Sequence, residues 1–100
     1  MTDIPNIPLR LDGEVVVVTG GARGIGRGIC ETFARQGATA VIADIDEERA
    51  RQTAVDIIAS GGKAEAYALD VTDEEQTDSV IGRIAKSHGH LDVLVANAGV

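Results

Sequence analysis

V-V-V-V-T-G-G-A-R-G-I-G, residues 15–26, is the stretch that decides the fold. A run of β-branched residues falls into a glycine-rich turn, and an amphipathic helical pattern follows at once. Strand, tight loop and helix in that order form an anion cradle, because the free amides of a helix start point at the ligand. Gly20 permits the sharp turn out of the strand. Gly24 and Gly26 remove side chains where backbone approaches a pyrophosphate and where helix packs on strand. A plain G-x-G-x-x-G does not fit, since its third glycine would fall on Ile29. The nucleoside triphosphatase loop fails too: Gly21 and Gly26 have its gap, but Arg27-Gly28 replaces the required Lys and Ser/Thr.

Outward from this loop, four apolar runs at 15–19, 39–44, 64–69 and 93–97 alternate with three helical patterns. The runs are short and rich in Val, Ile and Ala, as expected of strands buried on both faces. In the first helix Ile25, Ile29 and Phe33 recur every fourth residue, with Cys30 and Ala34 alongside. The second spans 47–60 on a stripe of Ala50, Ala54, Ile57 and Ile58, with Asp46, Glu47 and Glu48 at its positive end. The third opens on Thr72-Asp-Glu-Glu75, a capping-box pattern, and buries Thr77, Val80, Ile81 and Ile84. The order βαβαβαβ predicts an α/β, doubly wound parallel sheet of Rossmann type. With right-handed crossovers the strand order is 3-2-1-4, and its switch point lies between strands 1 and 4. Ligands bind beyond the carboxyl ends of the strands at such a point, where the glycine loop, Asp44, Asp70 and Asn97 all fall. One dinucleotide-binding half-domain is expected over 1–100, with an extended lead at 1–13.

Asp44 stands 18 residues after Gly26, close to the roughly 20 expected of an acid that reads a ribose 2′-hydroxyl. A carboxylate accepts hydrogen bonds from a ribose diol and repels a 2′-phosphate, so NAD is expected over NADP. Arg23 cuts the other way, as a base beside the loop, but Ile45 and Asp46 bring no second base after Asp44.

Composition narrows the classes. The formal net charge of −7, with Lys and Arg scattered, argues against nucleic acid. At 44% hydrophobic residues the chain is globular, and with no Trp its core rests on aliphatic side chains. Cys30, the single cysteine, excludes an internal disulfide and reads as a small, half-buried apolar residue. No signal-peptide pattern and no apolar run of about 20 residues appears, so a soluble cytoplasmic protein without membrane contact is expected.

T-G-G-A-R-G-I-G at 19–26, Asp70-Val71 after strand 3, and Asn97-Ala98-Gly99 after strand 4 together resemble the short-chain dehydrogenase/reductase family. The motifs run in order along nearly the whole chain, from Leu11-Asp12-Gly13 to Val100. The resemblance implies that Asp70 contacts the adenine amino group, with the Val71 backbone beside it. It also implies that the Asn97-Ala98-Gly99 turn packs against the adenosine ribose and steadies strand 4. Ala96 stands where many members carry another Asn, which removes one structural hydrogen bond. The expected cofactor-binding set is therefore Gly20, Arg23, Gly24, Ile25, Gly26, Asp44, Ile45, Asp70, Val71, Asn97, Ala98 and Gly99.

The family's chemistry resides in an Asn, a Ser and a Tyr-x-x-x-Lys pair, none of which is identifiable here. Tyr67 is followed four places on by Val71, and it sits within strand 3. Ser60, Ser79 and Ser87 lie on or beside helices with no base in view, and His88-Gly-His90 offers two ligands without a third. The implied activity is hydride transfer between nicotinamide and a hydroxyl or carbonyl carbon of an alcohol or ketone, by a homo-oligomer when full length. This chain supplies the cofactor-binding part and is expected to be inactive and prone to associate alone, with strand 4 an apolar edge. The rival reading is a non-catalytic dinucleotide-binding module or fragment. Coding sequence beyond Val100 with Ser and Tyr-x-x-x-Lys would separate the two.

Overall fold

A computed structural model describes residues 10–97, so Ala98 and Gly99 of the expected set lie outside the described residues. The elements follow in the order β1 (Val15–Thr19), α1 (Gly24–Arg35), β2 (Thr39–Asp44), α2 (Glu47–Ala59), β3 (Lys63–Ala68), α3 (Glu74–His88) and β4 (Val93–Ala96). All strand pairs are parallel, in the order β3-β2-β1-β4. Val17 of β1 stands beside Val41 of β2 on one side and Leu94 of β4 on the other. The doubly wound sheet is as the alternation requires.

Side chains alternate across β1 and β2, and so divide the core into two layers. Val16, Val18, Ala40 and Ile42 pack with Cys30 and Ala34 of α1 and with Ala54 and Ile57 of α2. Val15, Val17, Val41 and Ala43 pack on the opposite face with Val80 and Ile84 of α3. Each fully buried Val or Ile contributes roughly 1.5–3 kcal/mol, so these two central strands carry most of the fold.

The outer strands depart from the sequence reading. Burial on both faces holds for β1 and β2, whereas β3 is mostly half-buried and β4 mostly exposed, with Leu94 at 50%. Among the described residues both are edge strands with one lateral neighbour, and only α3 covers the second face. Strand β3 begins and ends one residue earlier than expected, and Leu69, just past its end, donates its N–H to Asp44 O at 3.0 Å.

Helix α1 turns a different face inward from the one its large side chains suggest. Gly26, Cys30 and Ala34 are buried, whereas Ile25 is 78% exposed. Small residues let the helix approach the sheet closely, and Ile29 and Phe33 pack against the flank of the core. Cys30 is fully buried rather than half-buried, and burial pushes its thiol up to about 12. It is a protonated packing residue.

Helices α2 and α3 carry their own caps. Asp46 accepts from Arg49 N–H at 3.1 Å, and Glu47 and Glu48 fill the first turn of α2. The cap of α3 is Asp73 and not Thr72: Asp73 accepts from Gln76 N–H at 3.0 Å, while Thr72 turns back to Asp70. The lead is not wholly extended, since residues 12–13 form a turn closed by Glu14 N–H to Leu11 O at 3.0 Å.

Candidate functional site

The loop between β1 and α1 is held by groups from β2, from α2 and from the residue after β4. Gly20 N–H donates to Ala43 O at 2.7 Å, and Gly20 O accepts from Asn97 Nδ2 at 3.2 Å. Ala22 N–H donates to Asp44 Oδ2 at 3.2 Å, and Ala22 O accepts from the Thr53 hydroxyl at 2.9 Å. At the loop's near end, Asn97 N–H donates to Thr19 Oγ1 at 3.0 Å, which ties the end of β4 to the end of β1.

What remains open is the N-terminus of α1. Its cap residue Arg23 is extended (φ −158°) and makes no side-chain capping bond, and no acidic residue stands in the first turn. Helices α2 and α3 each have an Asp cap and two acids there. An uncapped start leaves first-turn amides without acceptors, next to the equivalent of about half a positive charge. An anion fits there.

The two glycines at this start do different things. A Cβ on Gly26 would collide with Gly20 O, so helix and loop can touch only without a side chain at 26. Gly24 has open space where its Cβ would be, and its φ of +61° is one that L side chains rarely adopt. One glycine permits packing, and the other leaves an approach clear.

Asp44 at the end of β2 is 7% exposed, and its second oxygen accepts from Asp46 N–H at 2.9 Å. Each carboxylate oxygen has a further lone pair. Ile45, next in the chain, is 71% exposed on the same rim. Asp70 follows β3. Its Oδ1 accepts from the Thr72 hydroxyl at 2.6 Å and from Thr72 N–H at 3.0 Å, and these bonds hold its carboxyl below the ordinary value of 3.8. Their stabilisation is therefore present above that value and lost as the pH falls through the lowered one. Val71 flanks the layer under α3. Gly20, Arg23, Gly24, Ile25, Gly26, Asp44, Ile45, Asp70, Val71 and Asn97 thus lie around the carboxyl ends of the strands. Thr53 and Thr19 join them, neither in the expected cofactor-binding set. Thr53 could have been noticed as the one polar residue on the buried stripe of α2, with Ala50, Ala54 and Ile57.

The remaining polar candidates lie apart. Tyr67 is half-buried on β3 with the Arg83 guanidinium 5.7 Å from its ring centroid, and burial raises its phenol. His88 Nε2 stands 2.9 Å from Glu65 Oε2, whereas His90 meets Gly13 O at 2.8 Å and Asp92 at 3.1 Å, so the two do not converge. Among the described residues no group of three His, Cys, Asp or Glu could hold a metal, and no helix is long and apolar enough to cross a membrane. A cavity of about 670 Å³ opens at the other end of the sheet, lined by Arg10, Arg27, Arg35 and Lys63 among others. Its charges are largely self-paired, with Arg10 on Asp12 at 2.7 Å and Arg27 on Asp56 at 2.8 Å.

Comparison with known proteins agrees with this fold. Sorbitol dehydrogenase of Cereibacter sphaeroides is 46% identical over 92 residues, which is 92% of this chain and 35% of that protein. Galactitol 2-dehydrogenase of Agrobacterium fabrum is 45% identical over 92 residues, with the same shares. The chain thus spans about a third of the length of these relatives. Among solved structures, a hydroxysteroid dehydrogenase from Escherichia coli superposes with a TM-score of 0.87 at 38% identity, over 93% of this chain and 40% of that one. A metagenomic short-chain oxidoreductase in complex with NADP gives 0.86 at 40% identity, over 90% of this chain and 41% of that one. Residues 14–100 match the family model for short chain dehydrogenases, and the chain belongs to that family.

Proposed function

We propose that this chain is the dinucleotide-binding part of an NAD-dependent oxidoreductase that moves hydride between nicotinamide and the hydroxyl or carbonyl carbon of an alcohol or ketone. The observation that carries the proposal is the uncapped N-terminus of α1, set beside an acid whose Oδ2 lies 3.2 Å from the loop amide of Ala22. The open space over Gly24 and the first-turn amides fit a pyrophosphate. The remaining lone pairs of Asp44 fit the ribose diol. Asp70, held ionised by Thr72, is suited to accept from the adenine amino group. Asn97 steadies the loop through Gly20 O. Ala98 and Gly99 are proposed to complete the ribose side of the site.

When bound, the nicotinamide supplies the hydride acceptor or donor. Proton transfer is not assigned to this chain, because no Ser with a Tyr-x-x-x-Lys pair is identifiable in its 100 residues. NADP has one feature in its favour: Arg23 is an exposed base at the start of α1. Asp44 outweighs it, since a buried carboxylate followed by Ile45 and Asp46, with no second base, repels a 2′-phosphate.

Calorimetric titration of the full chain with both cofactors tests the reading. NAD is expected to bind at least ten-fold more tightly than NADP. A charge-assisted hydrogen bond is worth about 1.5–3 kcal/mol, so Asp44→Ala should weaken NAD by about ten-fold or more and narrow the gap to NADP. Equal affinity for the two cofactors in the unmodified protein would overturn the assignment of NAD.

A further inference from the structure

We propose that Thr53 of α2 is a positioning residue for the phosphate loop, acting on the ligand's pyrophosphate through the Ala22–Arg23 peptide. The inference rests on the dinucleotide reading above and deepens it.

Thr53 is fully buried on the apolar stripe of α2, and its hydroxyl donates to Ala22 O at 2.9 Å across 31 residues of sequence. A threonine inside a helix ordinarily satisfies its hydroxyl on the carbonyl four residues back. Thr53 reaches out of its helix into the loop instead. The peptide so gripped joins Ala22 to Arg23, and a trans peptide plane points its carbonyl and its N–H in opposite directions. With Ala22 O drawn to α2, the N–H of Arg23, the cap residue of α1, must point away from α2. The preceding peptide is fixed separately, because Ala22 N–H donates to Asp44. Two consecutive peptide planes are thus set by side chains on two different elements. Ala22 is itself only 4% exposed, so water does not compete for either bond.

Without the hydroxyl, Ala22 O loses the side-chain hydrogen bond that sets the tilt of the Ala22–Arg23 plane, and the plane is held less tightly. The amides that meet the pyrophosphate would then have to be ordered by the ligand, at the expense of affinity. Adenosine, which has no phosphate, does not draw on those amides. A residue that merely supports the fold would weaken every ligand alike.

The test titrates the full chain with ADP, NAD and adenosine by NMR, in the unmodified protein and in Thr53→Val, Thr53→Ala and Thr53→Ser. In Thr53→Val, Kd for ADP and NAD should rise by up to about ten-fold, as for loss of one hydrogen bond, with adenosine within two-fold. Thr53→Ser should restore the original values. Thr53→Ala removes the same hydroxyl without a second branched methyl, and carries the test if the valine variant fails to fold. Unchanged ADP affinity in either folded variant, or an equal loss for adenosine, would overturn the proposal while leaving the dinucleotide site standing. Failure of the unmodified protein to bind ADP or NAD would overturn both.

Discussion

Gly26→Ala is expected to lower the unfolding free energy of the full chain by about 3 kcal/mol, the upper part of the range for overpacking a close contact. Alanine is otherwise the better helix former, by roughly 1 kcal/mol, so helix propensity alone predicts the opposite sign. The contact decides. The new Cβ would collide with Gly20 O, and it would stand 2.8 Å from Asn97 Nδ2. Main-chain atoms cannot rotate aside, and that carbonyl is already held by Asn97 at 3.2 Å and by its own tight turn. Relief requires α1 to lift from β1, which opens the layer containing Cys30 and Ala34. Urea unfolding followed by circular dichroism measures the change. A loss below about 0.5 kcal/mol, the usual size of a neutral surface effect, would mean that helix and loop are not in this contact.

Gly24→Val separates binding from folding more cleanly. Its Cβ would meet no protein atom within 4 Å, so the structural cost is confined to a φ of +61°, about 1–2 kcal/mol of backbone strain. The branched side chain would nevertheless stand at the mouth of α1, in the space proposed for the pyrophosphate. NAD binding should fall below detection, with the helical signal largely kept. Gly28→Ala is the control: it lies on the same helix, exposed, with open space around its Cβ, and should leave binding unchanged. A folded Gly24→Val protein with undiminished NAD affinity would show that the ligand lies elsewhere.

The contrast between these glycines shows what a sequence can and cannot convey. The strand order is legible from alternation, because parallel neighbours need a helical crossover and one sheet switch puts α3 on its own face. The loop and Asp44 are legible from spacing alone. The inward face of α1 is not, because Ile25, Ile29, Phe33 and Gly26, Cys30, Ala34 share one helical period. Hydrophobicity favours the first set, and close approach of helix to sheet selects the second. The cap of α3 is similarly ambiguous between Thr72 and Asp73, both good capping residues, and backbone direction at the turn decides it. The second task of Asp44, fixing the Ala22 amide, depends on how near β2 brings it to the loop. Thr53 is legible as inward-facing, but its partner lies on another element and appears only in three dimensions.

Hydrogen exchange of the full chain with and without NAD addresses the central claim most directly, since it reads the amides themselves. Saturating NAD should slow exchange at Arg23, Gly24, Ile25 and Gly26 and around Asp44 and Ile45. It should leave Gly61, Gly62 and Lys63, which line the cavity at the opposite end of the sheet, as they were. Protection confined to that opposite end, or unchanged exchange at the start of α1 under saturating NAD, would contradict the account.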